Sequence, residues 1–313
     1  MRTSLESETR PPDTRIDDRA LPVLAHPWLP HSPCATGCVD TVTAVRRLVR
    51  WWRLTRTTST ALGCLLVGVV VRPTPRLIRR GYVRWAARTL LRALGVTVEI
   101  DDRRPHAGKG VALVVANHTS ILDILAIASV VPARFVAKAE LTGAPGLRTL
   151  VSAFGIIPIR RSELRSLPDT VAAAVDGLHG DDAVGVFPEG TTWCGRSWGR
   201  FRPAMFQAAI DASMPVLPVH VGYRDASGPT TTAAFVGDDA LTGPLARVMG
   251  GRDIRVVVRL HELQSAGTDR RELAARCERI VFGDLDDMLV HGGAMPLDPI
   301  TVPTPVDRLS LAG

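Results

Sequence analysis

Aromatic residues are scarce in this chain, at 5% of 313 residues with only two tyrosines. With no recognisable binding motif either, that scarcity argues against a nucleic-acid partner, because single strands are held on aromatic stacking platforms. Acidic residues are missing from the entire stretch between Asp40 and Glu99, which carries arginine at 46, 47, 50, 53, 56, 72, 76, 79, 80, 84, 88 and 92. A long apolar run is missing too, since Ala61 to Val71 falls short of the ~20 residues that a spanning helix needs. The N-terminal residues include Glu6 and Glu8 and no apolar stretch, so a signal peptide is not expected. The five cysteines (Cys34, Cys38, Cys64, Cys194, Cys277) are odd in number and scattered. Cys34 and Cys38 have no second Cys/His pair at zinc spacing, so neither a metal site nor a disulfide framework is expected, and a reducing cytosolic setting fits.

What the chain does have is ample apolar material, 46% of residues, for one large α/β domain with extensions. A net charge of +7 points to anionic partners. No internal repeat is present. Residues 1–40 are polar and dotted with proline, and residues 292–313 carry Pro296, Pro299, Pro303 and Pro305; both read as disordered tails. Residues 41–95 read as basic amphipathic helices for membrane association. Val45, Leu48, Val49 and Trp52 share one helical face, Pro73 and Pro75 break the chain, and arginine then recurs every fourth residue from 76 to 92. The tryptophans at 51 and 52 beside these arginines favour an anionic membrane surface over a solvated face.

Residues 96–291 alternate between two periods. Strands are expected at Val96–Ile100, Val111–Ala116, Phe135–Ala137, Gly155–Ile159, Val184–Phe187, Val216–Val221 and Ile254–Leu260. Helices are expected at Ile121–Val131, Gly146–Ala153, Leu167–Leu178, Ala204–Ala212 and Glu272–Leu289, the last with Asp269 and Glu272 as a capping box. The fold class is therefore α/β: a largely parallel mixed sheet covered by helices, preceded by N-terminal amphipathic membrane-surface helices. Functional loops should gather at the carboxyl ends of its strands.

Asn117-His118-Thr119-Ser120-Ile121-Leu122-Asp123 occupies one such end. A neutral imidazole suits removal of a proton from an alcohol near neutral pH, and a carboxylate on the next helical turn can fix its tautomer. Asn117 is expected to cap or shape the corner. Further along come Gly155-Ile156-Ile157-Pro158-Ile159-Arg160-Arg161, then Phe187-Pro188-Glu189-Gly190-Thr191-Thr192, then Pro215-Val216-Leu217-Pro218-Val219. These four blocks, in this order across Val98 to Tyr223, resemble the PlsC-type glycerolipid acyltransferases, the family that includes 1-acylglycerol-3-phosphate acyltransferases.

The resemblance implies catalysis by His118 and Asp123, with acceptor binding by Arg160, Arg161, Glu189, Gly190 and Thr191. It also implies acyl-CoA or acyl carrier protein as co-substrate, no cofactor, and a lysophospholipid acceptor, chiefly 1-acylglycerol 3-phosphate. The expected location is the cytoplasmic face of the cell membrane, peripheral or monotopic. Two positions depart from the pattern: Arg160 stands where many relatives are acidic, and Thr192 where many have arginine. Arg196, Arg200 or Arg202 could replace that contact. Thr191-Thr192 followed by Phe201-Arg202-Pro203-Ala204-Met205-Phe206 looks like a branch that includes lyso-ornithine-lipid acyltransferases. A non-catalytic lipid-binding protein is the alternative of another class. Gly195-Arg196-Ser197-Trp198-Gly199 also fits a hydrolase elbow, but Pro188 to Cys194 separate it from the nearest strand.

Overall fold

The computed structural model describes residues 30–41, 43–105, 110–139, 155–160, 163–237, 239–240 and 242–283. Arg161, the helix expected at Gly146–Ala153 and most of both expected tails lie outside these residues. The chain opens with a helical hairpin, α1 (Arg47–Val71) and α2 (Arg76–Leu94). Helix α1 runs unbroken for 25 residues. By length and composition alone it is long and apolar enough to cross a membrane. The threonines after Arg56 are tolerated within a helix, which is why counting only Ala61 to Val71 understated it.

Several arginines of this hairpin do not face solvent as a simple amphipathic pattern predicts. Arg53 donates to the carbonyls of Met249 (3.1 Å) and Gly251 (2.6 Å), and Arg56 donates to those of Ala93 and Arg92. Arg88 reaches the carbonyl of Ser129 at 2.9 Å. Guanidinium groups thus satisfy carbonyls left open at helix C-termini, where positive charge is favoured. At the end of α2, Gly95 adopts φ 88°, and a Cβ there would meet the Arg53 guanidinium at 2.5 Å. Only glycine fits.

The sheet domain follows as β1 (Thr97–Asp102), β2 (Leu113–Ala116), α3 (Leu122–Ala128), β3 (Ala133–Lys138), β4 (Ile157–Ile159), α4 (Leu167–His179), β5 (Ala183–Val186), α5 (Gln207–Asp211), β6 (Val216–Asp225), β7 (Gly228–Pro229), α6 (Thr242–Gly250), β8 (Arg255–Leu260) and α7 (Arg270–Phe282). Strand order is β1-β8-β6-β2-β5-β3-β4, with β7 on β6. Strands β6, β2, β5, β3 and β4 run parallel, while β8 and its parallel neighbour β1 run against β6. The mixed, mostly parallel sheet agrees with expectation. Helix α6 was not foreseen, because Gly243, Pro244 and Gly250 hide its periodicity. Asp269 caps α7 by accepting from Arg271 N and Glu272 N.

Alternation along β2 explains how one strand serves two cores. Leu113 and Val115 join a cluster with Leu178, Phe206 and Leu273, whereas Val114 and Ala116 join Leu91, Leu122 and Val256 on the other face. Each fully buried Leu or Val contributes ~1.5–3 kcal/mol. The expected N-terminal tail is corrected in part: Cys34 is buried beside Trp193, Cys194, Ala234 and Val236, and Asp40 pairs with Arg196. Apolar and ionic contacts tie this segment to the domain.

Candidate active site

Strand β6 outruns β2, and that overhang builds the site. Val219 is level with Ala116, so His220, Val221 and Tyr223 extend past the end of β2, beside the His118 corner. Asn117 does not cap α3; its amide donates to Val221 O at 2.9 Å, and its carbonyl accepts from Val221 N at 2.7 Å. The corner is shaped instead by Asp123. Its Oδ2 accepts from Thr119 N (2.7 Å) and Ser120 N (2.8 Å) and lies 3.0 Å from His118 Nδ1. Its Oδ1 accepts from the Tyr223 hydroxyl at 2.7 Å. These donors compensate a carboxylate with no exposed surface. Burial, then the neighbouring Asp123 charge, pushes the Tyr223 hydroxyl well above its usual range, so it stays protonated and donating. With Nδ1 engaged by Asp123, the Nε2 lone pair of His118 is the one left to accept a proton.

Glu189 supports the same corner from the other side. Oε2 accepts from His118 N at 2.6 Å and Oε1 from Gly199 N at 2.8 Å. Both oxygens are therefore already engaged, which gives Glu189 a positioning contact rather than an open face for a head group. Burial pushes its carboxyl well above the usual range, against the two amides that pull it down. Gly190 turns at φ 76°, donates its own amide to Phe187 O at 3.0 Å, and leaves room for the Pro30 ring. Thr191, half-buried, follows in the turn. Thr192 points inward, with its hydroxyl donating to Phe235 O at 2.5 Å.

The Phe187 ring stacks on His118 at 4.0 Å between centroids. Phe187 also lines a groove of about 320 Å³ that includes Val136, Ile159, Leu167 and Met205 together with Arg160, Arg202 and Arg270. Arg160, largely exposed, meets Glu163 at 3.4 Å. Arg196 is paired with Asp40 instead of facing this groove. Facing His118 itself is a small recess of about 10 Å³, the space of about one water molecule. Trp193 and His220 line it, and neither Trp193 Nε1 nor His220 Nε2 has a hydrogen-bond partner among the described residues. Sequence reasoning missed Tyr223 and His220, since only the length of β6 relative to β2 brings them here. Ser197 sits in irregular chain, its hydroxyl 3.8 Å from Cys194 Sγ, without the strand and helix that an elbow requires.

The acyltransferase family profile matches residues 95–222, the span that contains His118, Asp123 and Glu189. The lyso-ornithine lipid O-acyltransferase of Pseudomonas aeruginosa is 33% identical over 207 residues, covering 65% of this chain and 78% of that protein. The chain belongs to the acyltransferase family. The 1-acyl-sn-glycerol-3-phosphate acyltransferase of Neisseria meningitidis serogroup B is 34% identical over 171 residues, covering 55% of this chain and 67% of that protein. The crystal structure of the 1-acyl-sn-glycerophosphate acyltransferase PlsC from Thermotoga maritima superposes with a TM-score of 0.56 at 21% identity. It covers 75% of this chain and 92% of that one. This acyltransferase shares that fold.

Proposed function

We propose that this acyltransferase moves a fatty acyl group from acyl-CoA or acyl carrier protein to the free hydroxyl of 1-acylglycerol 3-phosphate, giving phosphatidic acid. The observation that carries the reading is the His118–Asp123 pair, 3.0 Å apart, at a strand end beside a groove both basic and apolar. His118 Nε2 takes the hydroxyl proton as that oxygen attacks the thioester carbonyl carbon. The carbon–sulfur bond then breaks, and the departing thiolate recovers the proton from the imidazolium, leaving an ester and a free thiol. Asp123 stabilises the imidazolium, and Glu189 holds the His118 backbone. Because the donor brings the electrophile, the chain needs no covalent nucleophile. Arg160, Arg202 and Arg270 supply guanidinium groups for the acceptor phosphate, and the apolar wall of the groove suits its acyl chain.

The α1–α2 hairpin would seat the enzyme on the anionic cytoplasmic face of the cell membrane as a monotopic protein. Leu48, Trp51 and Trp52 are exposed on α1, while Arg53 and Arg56 fasten that helix to the domain, which favours lying along the surface over crossing it. A second acceptor, lyso-ornithine lipid, is favoured by the similarity to the Pseudomonas enzyme and by Thr192, which turns inward where a phosphate-binding arginine would stand. Incubation of the purified full chain with labelled acyl-CoA or acyl carrier protein and a panel of lysolipids, read by product mass, decides between them. Phosphatidic acid is the expected product. Acylated ornithine lipid alone would select the second acceptor, and thioester loss without any acylated lipid would indicate hydrolysis.

A further inference from the structure

Three cysteines that look unrelated in the sequence meet beside the catalytic corner. The sulfur atoms of Cys34, Cys38 and Cys194 all lie within 4.8 Å of one another, with Cys34 and Cys194 buried and Cys38 half-buried. Cys34 precedes and Cys38 ends the one-turn 3-10 helix Thr36–Cys38, closed by Cys38 N donating to Ala35 O at 2.9 Å, so the turn folds the two thiols toward one side. Such close spacing on a tight turn is how a chelating pair is presented to a metal. Cys194 arrives from the loop after Glu189. Donors point at the sulfurs: Cys194 N donates to Cys34 Sγ at 3.3 Å, and the Ser197 hydroxyl lies 3.8 Å from Cys194 Sγ.

We propose that Cys34, Cys38 and Cys194 form a three-thiolate site for zinc(II), with the fourth position taken by an external ligand on the Cys38 side. Thiolates ~2.3 Å from a tetrahedral zinc stand ~3.8 Å apart, so the observed cluster needs only a small contraction. Soft sulfur donors select zinc over the hard cations. A disulfide would instead join two of these sulfurs at ~2.05 Å and leave the third unmatched. The expectation of no metal site rested on spacing along the chain, which could not register a ligand 160 residues away. The site ties residues 30–40 to the loop whose Trp193 N donates to His118 O at 2.8 Å. Metal binding therefore stiffens the catalytic corner without touching the reacting atoms.

The test uses the full chain, purified with reductant and without chelator. Elemental analysis should find about one zinc per chain, and replacement by cobalt(II) should produce a sulfur-to-cobalt charge-transfer band in the near ultraviolet. Cys38→Ser, at the half-exposed position, should weaken cobalt binding at least ~10-fold, the loss produced even by removing an outer partner of a ligand. Cys64→Ser and Cys277→Ser should bind as the wild type does. Absence of the cobalt–thiolate band in the reduced wild type would overturn the proposal. So would undiminished binding by Cys38→Ser, or a Cys34–Cys194 disulfide persisting under reductant in the intact mass.

Discussion

Leu48, Trp51, Trp52, Leu62, Leu66, Val70 and Leu77 of the helical hairpin stand open to solvent, whereas in the sheet domain only Ile100 and Leu263 do so among the described large apolar side chains. Charge divides the same way. The hairpin is free of acidic residues, while the domain pairs Arg104 with Asp102, Arg247 with Asp239 and Arg259 with Asp101. One region hides its apolar surface and neutralises its charge from within; the other exposes its apolar surface and has no carboxylates of its own to pair with. A soluble monomer rarely leaves so much contiguous apolar surface uncovered, and a rim of arginine beside it fits an anionic lipid surface. In the proposed function the domain carries the chemistry, and the hairpin seats it on the lipid surface.

The sharpest way to separate the two roles is to disable one at a time. His118→Ala should lower kcat by about 10²–10⁴ while vesicle binding stays intact, measured by acyl transfer and by co-sedimentation. Conversely, replacing Leu48, Trp51 and Trp52 together by serine should weaken partition onto anionic vesicles by about 100-fold, with turnover of a short-chain soluble acceptor largely kept. Raising salt should weaken vesicle binding of the wild type in parallel, through screening of the arginines. Equal loss of both activities in either variant would collapse the distinction.

Within the domain, Glu189→Gln removes one of two buried acceptors and should cost about 1–3 kcal/mol in denaturant unfolding, together with a fall in kcat from a displaced His118. Per pH unit, the smallest effect concerns His220, whose imidazole is held from its ordinary 6.5 down to about 3, chiefly by burial and then by the nearby Arg259 charge. Below pH 6.5 the unfolded chain takes up a proton that the folded chain refuses. Stability should therefore be full above 6.5 and fall toward pH 3, by at most ~1.4 kcal/mol per pH unit from this group. His220→Gln should flatten that slope in urea titrations at pH 6.5 and 5; an unchanged slope would remove His220 from the account.

Much of the domain was legible because its signals are local. Every expected strand is present, and His118 and Asp123 meet because one corner and one helical turn bring residues five apart together. The blurred parts are those set by competition between elements. Asn117 looked like a cap, yet its amide finds a better partner in the overhanging β6. Hairpin arginines were expected at an anionic membrane surface, yet several lie over open helix C-termini. Arg161 lies outside the described residues, so the paired-arginine reading rests structurally on Arg160 alone.

By itself the sequence determined the alternation that makes an α/β sheet, the His–Asp corner and the uneven spread of charge, all of which depend on neighbours along the chain. Tertiary structure alone decided that Glu189 turns both oxygens to backbone amides, that Tyr223 reaches Asp123, and that Cys194 joins Cys34 and Cys38. Those contacts join residues 10 to 160 positions apart. Their partners are set by strand register and loop length, and no local pattern encodes either.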